Sequence, residues 1–487
     1  MTAELARAGG PIGCAGLALL LVATRRDLRL AGLALWALGG AFLAADLAPS
    51  GHHAVLAAAG VLVLAAGVVG AVLLERWPWL LALGVLACVP ARIEVKIGAE
   101  KASLLIPLYG IVLAAALALA YRLARGDGRT RELGPLAWPL AAFVAWSGLS
   151  LAWTSDLRQG SIELLFFFLP FGLLAIALAR LEWSRRWILA LYGLLTLMAV
   201  SFALIGVYQW STREVFWNPK VIVANAYAPS GFFYRVNSVF YDPSIYGRFL
   251  VVAILASLVI LVHTRWVRLA LFLAAVIATI WVGLLFSFSQ SSFVALAAAV
   301  LAAAAFVWRR RAVAALGLVG AMLVLVGFSA PQVRHDLLAQ SGSGLNRVSS
   351  NRFGLVKNGI KLAADHPIQG VGIGGFKHSY AEKFHLPGKE PKKAASHDTP
   401  VTVAAETGIP GVALLGWLFV ATMLAAWRRV PNSAEGRTAL FAGLAFGAIA
   451  VHSLFYNAFF EDPMTWGLLG LIVIVSAAVR RQPEEKT

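Results

Sequence analysis

Charged side chains are scarce in this chain: Asp, Glu, Lys and Arg together make up 13% of 487 residues, against 60% hydrophobic ones, and the mean hydropathy is +0.78. A soluble globule of this size cannot bury so much apolar surface, which excludes that class. Acidic residues are the scarcer sign, 24 against 41 Lys and Arg, for a net charge of +17. The excess does not point to nucleic acid, because the basic residues fall in short clusters between apolar runs, as topology determinants do. Cysteine is down to Cys14 and Cys88, both inside apolar runs with no CxxC spacing and no nearby His. That excludes a disulfide or thiolate metal site and leaves packing as their role. No small-residue cleavage site stands out after the first apolar run, which therefore reads as a span or an anchor. No strong internal repeat and no low-complexity linker is visible.

What is present is a series of apolar runs long enough to cross a hydrocarbon core of roughly 30 Å. They begin near Pro11, Leu30, Ala54, Trp77, Leu104, Leu136, Ile162, Trp187, Ser244, Val267, Ser287, Ala312, Glu406, Thr438 and Met464. The expected fold is all-α: a polytopic integral membrane protein of about fourteen or fifteen transmembrane helices, forming one membrane domain over residues 1–487. The stretch from Trp77 to Pro90, broken by Pro and Gly, fits either a full span or a re-entrant piece.

Arg-rich loops at Arg25 to Arg29, Arg122 to Arg131, Arg180 to Arg186, Arg265 to Arg268 and Arg309 to Arg311, with further pairs at Arg428 and Arg480, alternate with loops poor in Lys and Arg. By the positive-inside rule the Arg-rich set is cytoplasmic. Parity then puts two polar intervals on the outer face, a smaller one over 211–248 and a large one over 331–404. Arg92, Lys96 and Lys101 fit this scheme poorly, since they fall on a segment expected outside.

The large interval is where chemistry in water has room. Its sequence NRFGLVKNGIKLAADHP places Phe353, Val356, Ile360 and Leu362 near one helical face, with Asn351 as a cap and Pro367 as a stop. The following GVGIGGF, with Gly370, Gly372, Gly374 and Gly375, argues for a tight turn whose exposed amides can face an anion. SHDTPVTVAAETGIPG then leads into a membrane run, with Glu406 expected to open its helix.

These residues carry a resemblance. An Arg-containing helix, HPIQGVGIGGF, a variable span and SHDTPVTVAAETGIPG ahead of a membrane helix resemble the O-antigen ligase family, which includes oligosaccharide polymerases and related bacterial surface-polymer ligases. SGFFYRVNSVFYDPSIYGRFL is similar to the Arg, Phe, Asn-Pro, Gly segment that opens a helix in that family. The resemblance spans roughly the last half of the chain. It implies a glycosyltransferase of the bacterial cytoplasmic membrane, using a polyprenyl-diphosphate-linked glycan (undecaprenyl diphosphate in this family's setting) and a glycan or glycolipid acceptor on the outer face. It implies inversion at the anomeric carbon, no cofactor and no metal. A repeat-unit polymerase with the same chemistry is the nearest alternative, and a transporter of lipid-linked glycan is the alternative from another class.

The side-chain chemistry fits those roles. A diphosphate leaving group needs fixed positive charge, and Arg grips two oxygens with a fork that stays charged. An acceptor hydroxyl needs a base poised near neutral pH, as His is. Apolar grooves between helices would take the polyprenyl tail. Matched by position, His397 is the expected base and Arg235 and Arg352 the expected diphosphate ligands. Arg248, just inside an apolar run, joins them because a charge there needs a partner or a wet cavity. Supporting roles fall to Lys357, on nearly the same helical side as Arg352, to Asp398 as orienter of the ring, and to Glu406, Glu461 and Asp462. The alternative for the arginines is headgroup anchoring. His366 is expected to shape the turn before Pro367. Where many members carry Ser-Arg, this chain reads SFSQSSF, so Gln290 offers only a neutral hydrogen bond.

Overall fold

The computed structural model describes residues 2–47, 53–97, 100–215, 234–305, 317, 352–386, 396–427 and 433–481. The span expected from Ala312, the cap Asn351 and parts of both polar intervals lie outside these residues. The helices are α1 (Thr2–Val22), α2 (Arg26–Leu47), α3 (His53–Arg76), α4 (Leu80–Cys88), α5 (Ile106–Ala124), α6 (Ala137–Ser150) and α7 (Leu157–Ala179). Then come α8 (Arg185–Thr212), α9 (Pro243–His263), α10 (Val267–Ser287), α11 (Gln290–Ala305), α12 (Arg352–Asp365), α13 (Phe376–Lys383), α14 (Thr399–Trp427), α15 (Ala434–His452) and α16 (Pro463–Arg481). Among the described residues eleven helices are long and apolar enough to cross a membrane. The chain is an all-α, multi-pass membrane protein.

One departure from helix is a hairpin, β1 (Ile93–Ile97) paired antiparallel with β2 (Glu100–Leu104). It corrects the expectation at Trp77: α4 has nine residues, a rise of about 14 Å, too short for a span of roughly 30 Å. The chain turns at Val89 to Arg92 and enters the hairpin instead. Between the two alternatives for this stretch, the partial helix is the one formed.

The Arg-rich loops share one end of the bundle. Arg29 and Arg180, both buried, reach the Glu132 carboxylate at 2.5 Å each. Arg180 also pairs with Asp127, and Arg129 pairs with Glu182 at 2.7 Å. Arg26 donates to the Leu123 and Ala124 carbonyls at the last turn of α5, where the helix lacks its own donors. Asp127 is held below the usual carboxylate range: burial opposes this, but the Arg129 amide and the Arg180 and Arg129 charges outweigh it. Three connections are thereby fastened at one end. Arg92 sits at the other end, its guanidinium donating to the Glu461 carbonyl at 2.6 Å and facing the Glu461 carboxylate at 3.6 Å, so the basic residue that fitted the alternation poorly has a carboxylate partner beside the second polar region.

At this second end the loop 366–375 is fitted backbone to backbone against α14. Gly370 and Gly408 both have positive φ, +66° and +68°, and each faces the other's strand of chain. A Cβ on Gly408 would lie 2.3 Å from the Ile368 carbonyl oxygen, and one on Gly370 2.3 Å from the Glu406 carbonyl carbon. The helix α14 kinks at Gly408, with Pro410 following, and the freed groups are taken up locally: the Ile409 amide donates to the Pro367 carbonyl at 2.7 Å. His366 accepts from the Gly370 amide at 2.9 Å, as a turn before Pro367 requires.

The face by which α12 docks differs from the expected one. Leu362 is buried with Val371, Phe376, Tyr380 and Ala405, but Phe353 is 46% and Ile360 56% exposed. The reason is Gly359, whose missing side chain lets Val401 approach to 2.5 Å of where a Cβ would be. Close approach selects the Gly359–Leu362 side over the more apolar one.

Gly408→Ala is expected to lower stability by more than about 1 kcal/mol, since both sterics and φ oppose a side chain there. Gly416→Ala, in the same helix with nothing within 4 Å of its Cβ position, is expected to be neutral. Thermal unfolding in detergent, followed by circular dichroism, compares the two.

Candidate active site

The first turn of α9 is prepared by the segment before it. Asp242 caps the helix, accepting from the Ser244 amide at 2.6 Å, and Pro243 takes the first helical position, where a missing N–H costs nothing. Upstream, Gln209 near the end of α8 holds the chain in place: its side-chain amide donates to Asn237 at 2.8 Å and its carbonyl accepts the Ser238 amide at 2.8 Å. The Val236 amide donates to the Phe286 carbonyl at 2.9 Å. Arg235 is thereby aimed back at the helix end, its Nε donating to the Ser287 carbonyl and a terminal nitrogen to Ser244 Oγ, both at 3.3 Å.

Ser244 and Arg248 are one turn apart on the same side of α9, about 6 Å along the axis. Arg248 is 1% exposed. Its guanidinium lies 2.8 Å from Asp462 Oδ2, and Asp462 Oδ1 accepts the Met464 amide at 2.9 Å, so one carboxylate both caps α16 and answers the buried charge. The pair is what allows Arg248 to sit among apolar helices. It also neutralises Arg248. Arg235, half-buried, has no carboxylate within ion-pair distance among the described residues, so of the two its charge is the one left uncompensated.

Beside α9 the break between α10 and α11 carries a knot of serines. Phe288 takes a left-handed conformation, φ +46°, and ends α10. Ser289 Oγ lies 2.7 Å from Ser292 Oγ, and Ser291 Oγ 3.0 Å from His452 Nε2. Gly247, adjacent to Arg248, leaves the space: a Cβ there would meet Ser292 Oγ at 2.5 Å. Gln290 points away and is exposed.

The connection from α15 to α16, residues 453–462, gathers these parts. The Thr399 amide donates to the Ser453 carbonyl and Thr399 Oγ1 to Asn457 Oδ1, both at 2.9 Å. Thr399 starts α14, so His397 and Asp398 are held beside this connection. His397 is half-buried with a left-handed backbone, φ +53°. Asp398 caps α14, accepting the Val401 amide at 2.8 Å. Burial pushes its carboxyl above the ordinary range and the Val401 amide pulls it part of the way back. Tyr456 is raised well above the ordinary phenol range, first by burial and then by the nearby Asp242 charge, so it stays a donor.

Of the residues singled out from sequence, the structure therefore brings Arg235, Arg248 and Asp462 together through Ser244 and α9, with His397 and Asp398 joined to the same connection by Thr399. The others take different partners or positions. Glu461 pairs with Arg92. Lys357 is exposed on α12. Arg352 is the first residue of α12, and its side chain is outside the described part. Glu406 does not open α14; it lies well inside the helix, buried, and its carboxylate accepts the Phe376 amide at 3.2 Å. It thus serves a helix N-terminus, that of α13, because the polar loop folds back over α14. The glycine-loop amides are likewise spent inside the protein: Val371 on the Ala405 carbonyl and Gly372 on the Glu406 carbonyl, both at 2.8 Å, and Ile373 on Ser150 Oγ at 3.1 Å. The acceptor at the end of that loop is the Glu406 carboxyl.

His452, Ser291, Thr399 and Asn457 were missed in the sequence. His452 stands at the end of an apolar run and Thr399 inside a capping signal, Asp-Thr-Pro, that could have placed the start of α14.

Residues 275–416 match the family model described as O-antigen ligase. The match runs from α10 to the part of α14 beyond its kink, and leaves Arg235, Arg248, His452 and Asp462 outside it. No curated protein matches the chain.

Replacing one member of the Arg248–Asp462 pair, as in Arg248→Met or Asp462→Leu, is expected to cost about 3–5 kcal/mol, and the double replacement much less; a double-mutant cycle on thermal unfolding measures the difference. Asp398→Ala is expected to cost about 1 kcal/mol as a lost cap, and Asp398→Asn only a few tenths. Because the folded-state value of Asp398 is raised, the native state holds its proton longer than the unfolded chain. Wild type is therefore expected to lose stability relative to Asp398→Asn as pH rises from the ordinary aspartate range through the raised value, which unfolding curves across acidic pH detect.

Proposed function

We propose, from the assignment of this chain to the O-antigen ligase family through residues 275–416, that it transfers a glycan from a polyprenyl diphosphate carrier to an acceptor hydroxyl at the outer face of the cytoplasmic membrane. The observation that carries this reading is Arg235, without a carboxylate partner among the described residues, bonded to Ser244 one helical turn from Arg248 of the buried Arg248–Asp462 pair. A cation held by a backbone carbonyl and a hydroxyl, with no carboxylate among the described residues to neutralise it, can take an anionic group.

In this reading Arg235 grips the diphosphate, and Arg248, fixed by Asp462, shapes the adjoining wall and adds field. Arg352 arrives from the large polar interval. His397 takes the proton from the acceptor hydroxyl while the acceptor oxygen attacks the anomeric carbon. The bond to the diphosphate breaks on the opposite side, so the configuration inverts and the diphosphate leaves with the bonding pair. Rate comes from placement and from positive charge over the leaving group, without a covalent intermediate. The single membrane domain, the outer placement of both polar intervals and the cytoplasmic placement of the Arg-rich end belong to the same proposal.

Purified chain in nanodiscs, given a polyprenyl-diphosphate oligosaccharide, candidate acceptors and excess chelator, is expected to form product. His397→Ala and Arg235→Ala are expected to lower kcat by about a hundredfold or more with the fold intact by circular dichroism. Arg235→Lys should restore only part, since it loses the fork. The acceptor consumed separates ligase from polymerase. No product with any acceptor, together with movement of the lipid-linked glycan across vesicles, would replace the enzyme by a transporter.

A further inference from the structure

A groove of about 740 Å³ opens at the Arg-rich end of the bundle and reaches inward to Pro463 and Met464, next to Asp462. Its walls come from α4, α8, α9, α15 and α16 and are apolar, with Val85, Leu195, Val252, Ala256, Leu468 and Leu471 facing in. Along α9 the lining runs from Val252 to His263, a distance of about 16 Å. That is close to half of a roughly 30 Å hydrocarbon core, the depth of one leaflet.

The mouth of this groove is cationic. Arg185 begins α8, Arg265 precedes α10 and Arg437 lies in the first turns of α15, and all three line it. Their neighbours at the same end, Arg29, Arg129 and Arg180, are each matched to a carboxylate. Among the described residues no carboxylate is within ion-pair distance of Arg185, Arg265 or Arg437. Three helix starts converge there as well, adding partial positive charge. Trp266, 76% exposed, stands at the rim with Trp183, where indole rings favour a membrane boundary.

We propose that this groove binds one anionic phospholipid, its headgroup phosphate held by Arg185, Arg265 and Arg437 and an acyl chain laid between α9 and α16. The cations supply the charge complement, and the stretch of about 16 Å along α9 that lines the groove accommodates an extended acyl chain. The proposal does not depend on the transferase reading; that reading only makes the leaflet the cytoplasmic one. The lipid would fill the space between two pairs of helices and so support α9, whose other end carries Arg248.

The test is native mass spectrometry of the full chain in non-ionic detergent, titrated separately with phosphatidylglycerol, phosphatidylcholine and polyprenyl monophosphate. One phosphatidylglycerol should be retained with at least about tenfold preference over phosphatidylcholine, and the triple variant Arg185→Gln, Arg265→Gln, Arg437→Gln should lose that preference. Equal retention of the two phospholipids, unchanged retention by the triple variant, or displacement of phosphatidylglycerol by polyprenyl monophosphate overturns the proposal. Should the triple variant fail to fold, wild type alone decides: retention that falls severalfold from low to high salt supports it, and retention indifferent to salt overturns it.

Discussion

A guanidinium below the end of an apolar helix has to be answered by a carboxylate or by water, and much of the second end of this molecule follows from how Arg248 is answered. Asp462 supplies the charge, and it can do so only because the chain between α15 and α16 stays irregular for residues 453–462 before helix resumes at Pro463. An irregular segment must in turn satisfy its own backbone. It does so by drawing in Thr399 at the start of α14, and its last residues reach Arg92 beside the hairpin. One buried charge thus accounts for the position of α16, the entry angle of α14 and the use of an otherwise awkward basic residue. The arrangement also separates two roles that the sequence offered equally to Arg235 and Arg248, since among the described residues only Arg248 has a carboxylate partner.

The two ends of the bundle handle arginine differently. At the Arg-rich end, Glu132 is shared by Arg29 and Arg180, and three connections are locked together by buried ion pairs. Such pairs contribute little net stability, because desolvation offsets most of the attraction. What they do is fix which connection lies beside which. Where no carboxylate among the described residues is offered, around Arg185, Arg265 and Arg437, the chain leaves a site with charge to spare and an apolar groove below it.

Much of the fold was legible because hydropathy is a local property: all but one of the expected runs that fall on described residues are helices that reach full length or nearly so. The failure at Trp77 has a plain cause, since α4 and the hairpin together occupy the length of one apolar run, and composition does not separate nine helical residues from nineteen. The reading of Glu406 failed for a different reason. Gly408 and Pro410 look like the punctuation of a helix start, but here they mark a kink whose exposed groups are taken by the loop of residues 366–375. The exposed Phe353 and Ile360 on α12 show the same limit, as a glycine on the opposite side decided the docking face. In the candidate site, Arg248 was visible as a charge out of keeping with its surroundings, Arg235 and His397 through the motifs of the resemblance, and Asp462 by its place at a helix end. Ser291, His452 and Asn457 were not, because polar residues at ends of apolar runs are common, and their partners come only from the meeting of α11 with α15 and of α14 with the 453–462 connection.

The polar loop over α14 has one more property. Its amides at Val371, Gly372 and Phe376 all end on Ala405 or Glu406, one helical turn that is itself braced by the Ile409 amide on Pro367. None of these bonds can open alone without uncovering the next. The turn before α13 and the kink of α14 therefore form a single cooperative unit in the sense used for native-state hydrogen exchange, so a disturbance at the surface of α13 is felt at the kink of α14, inside the bundle.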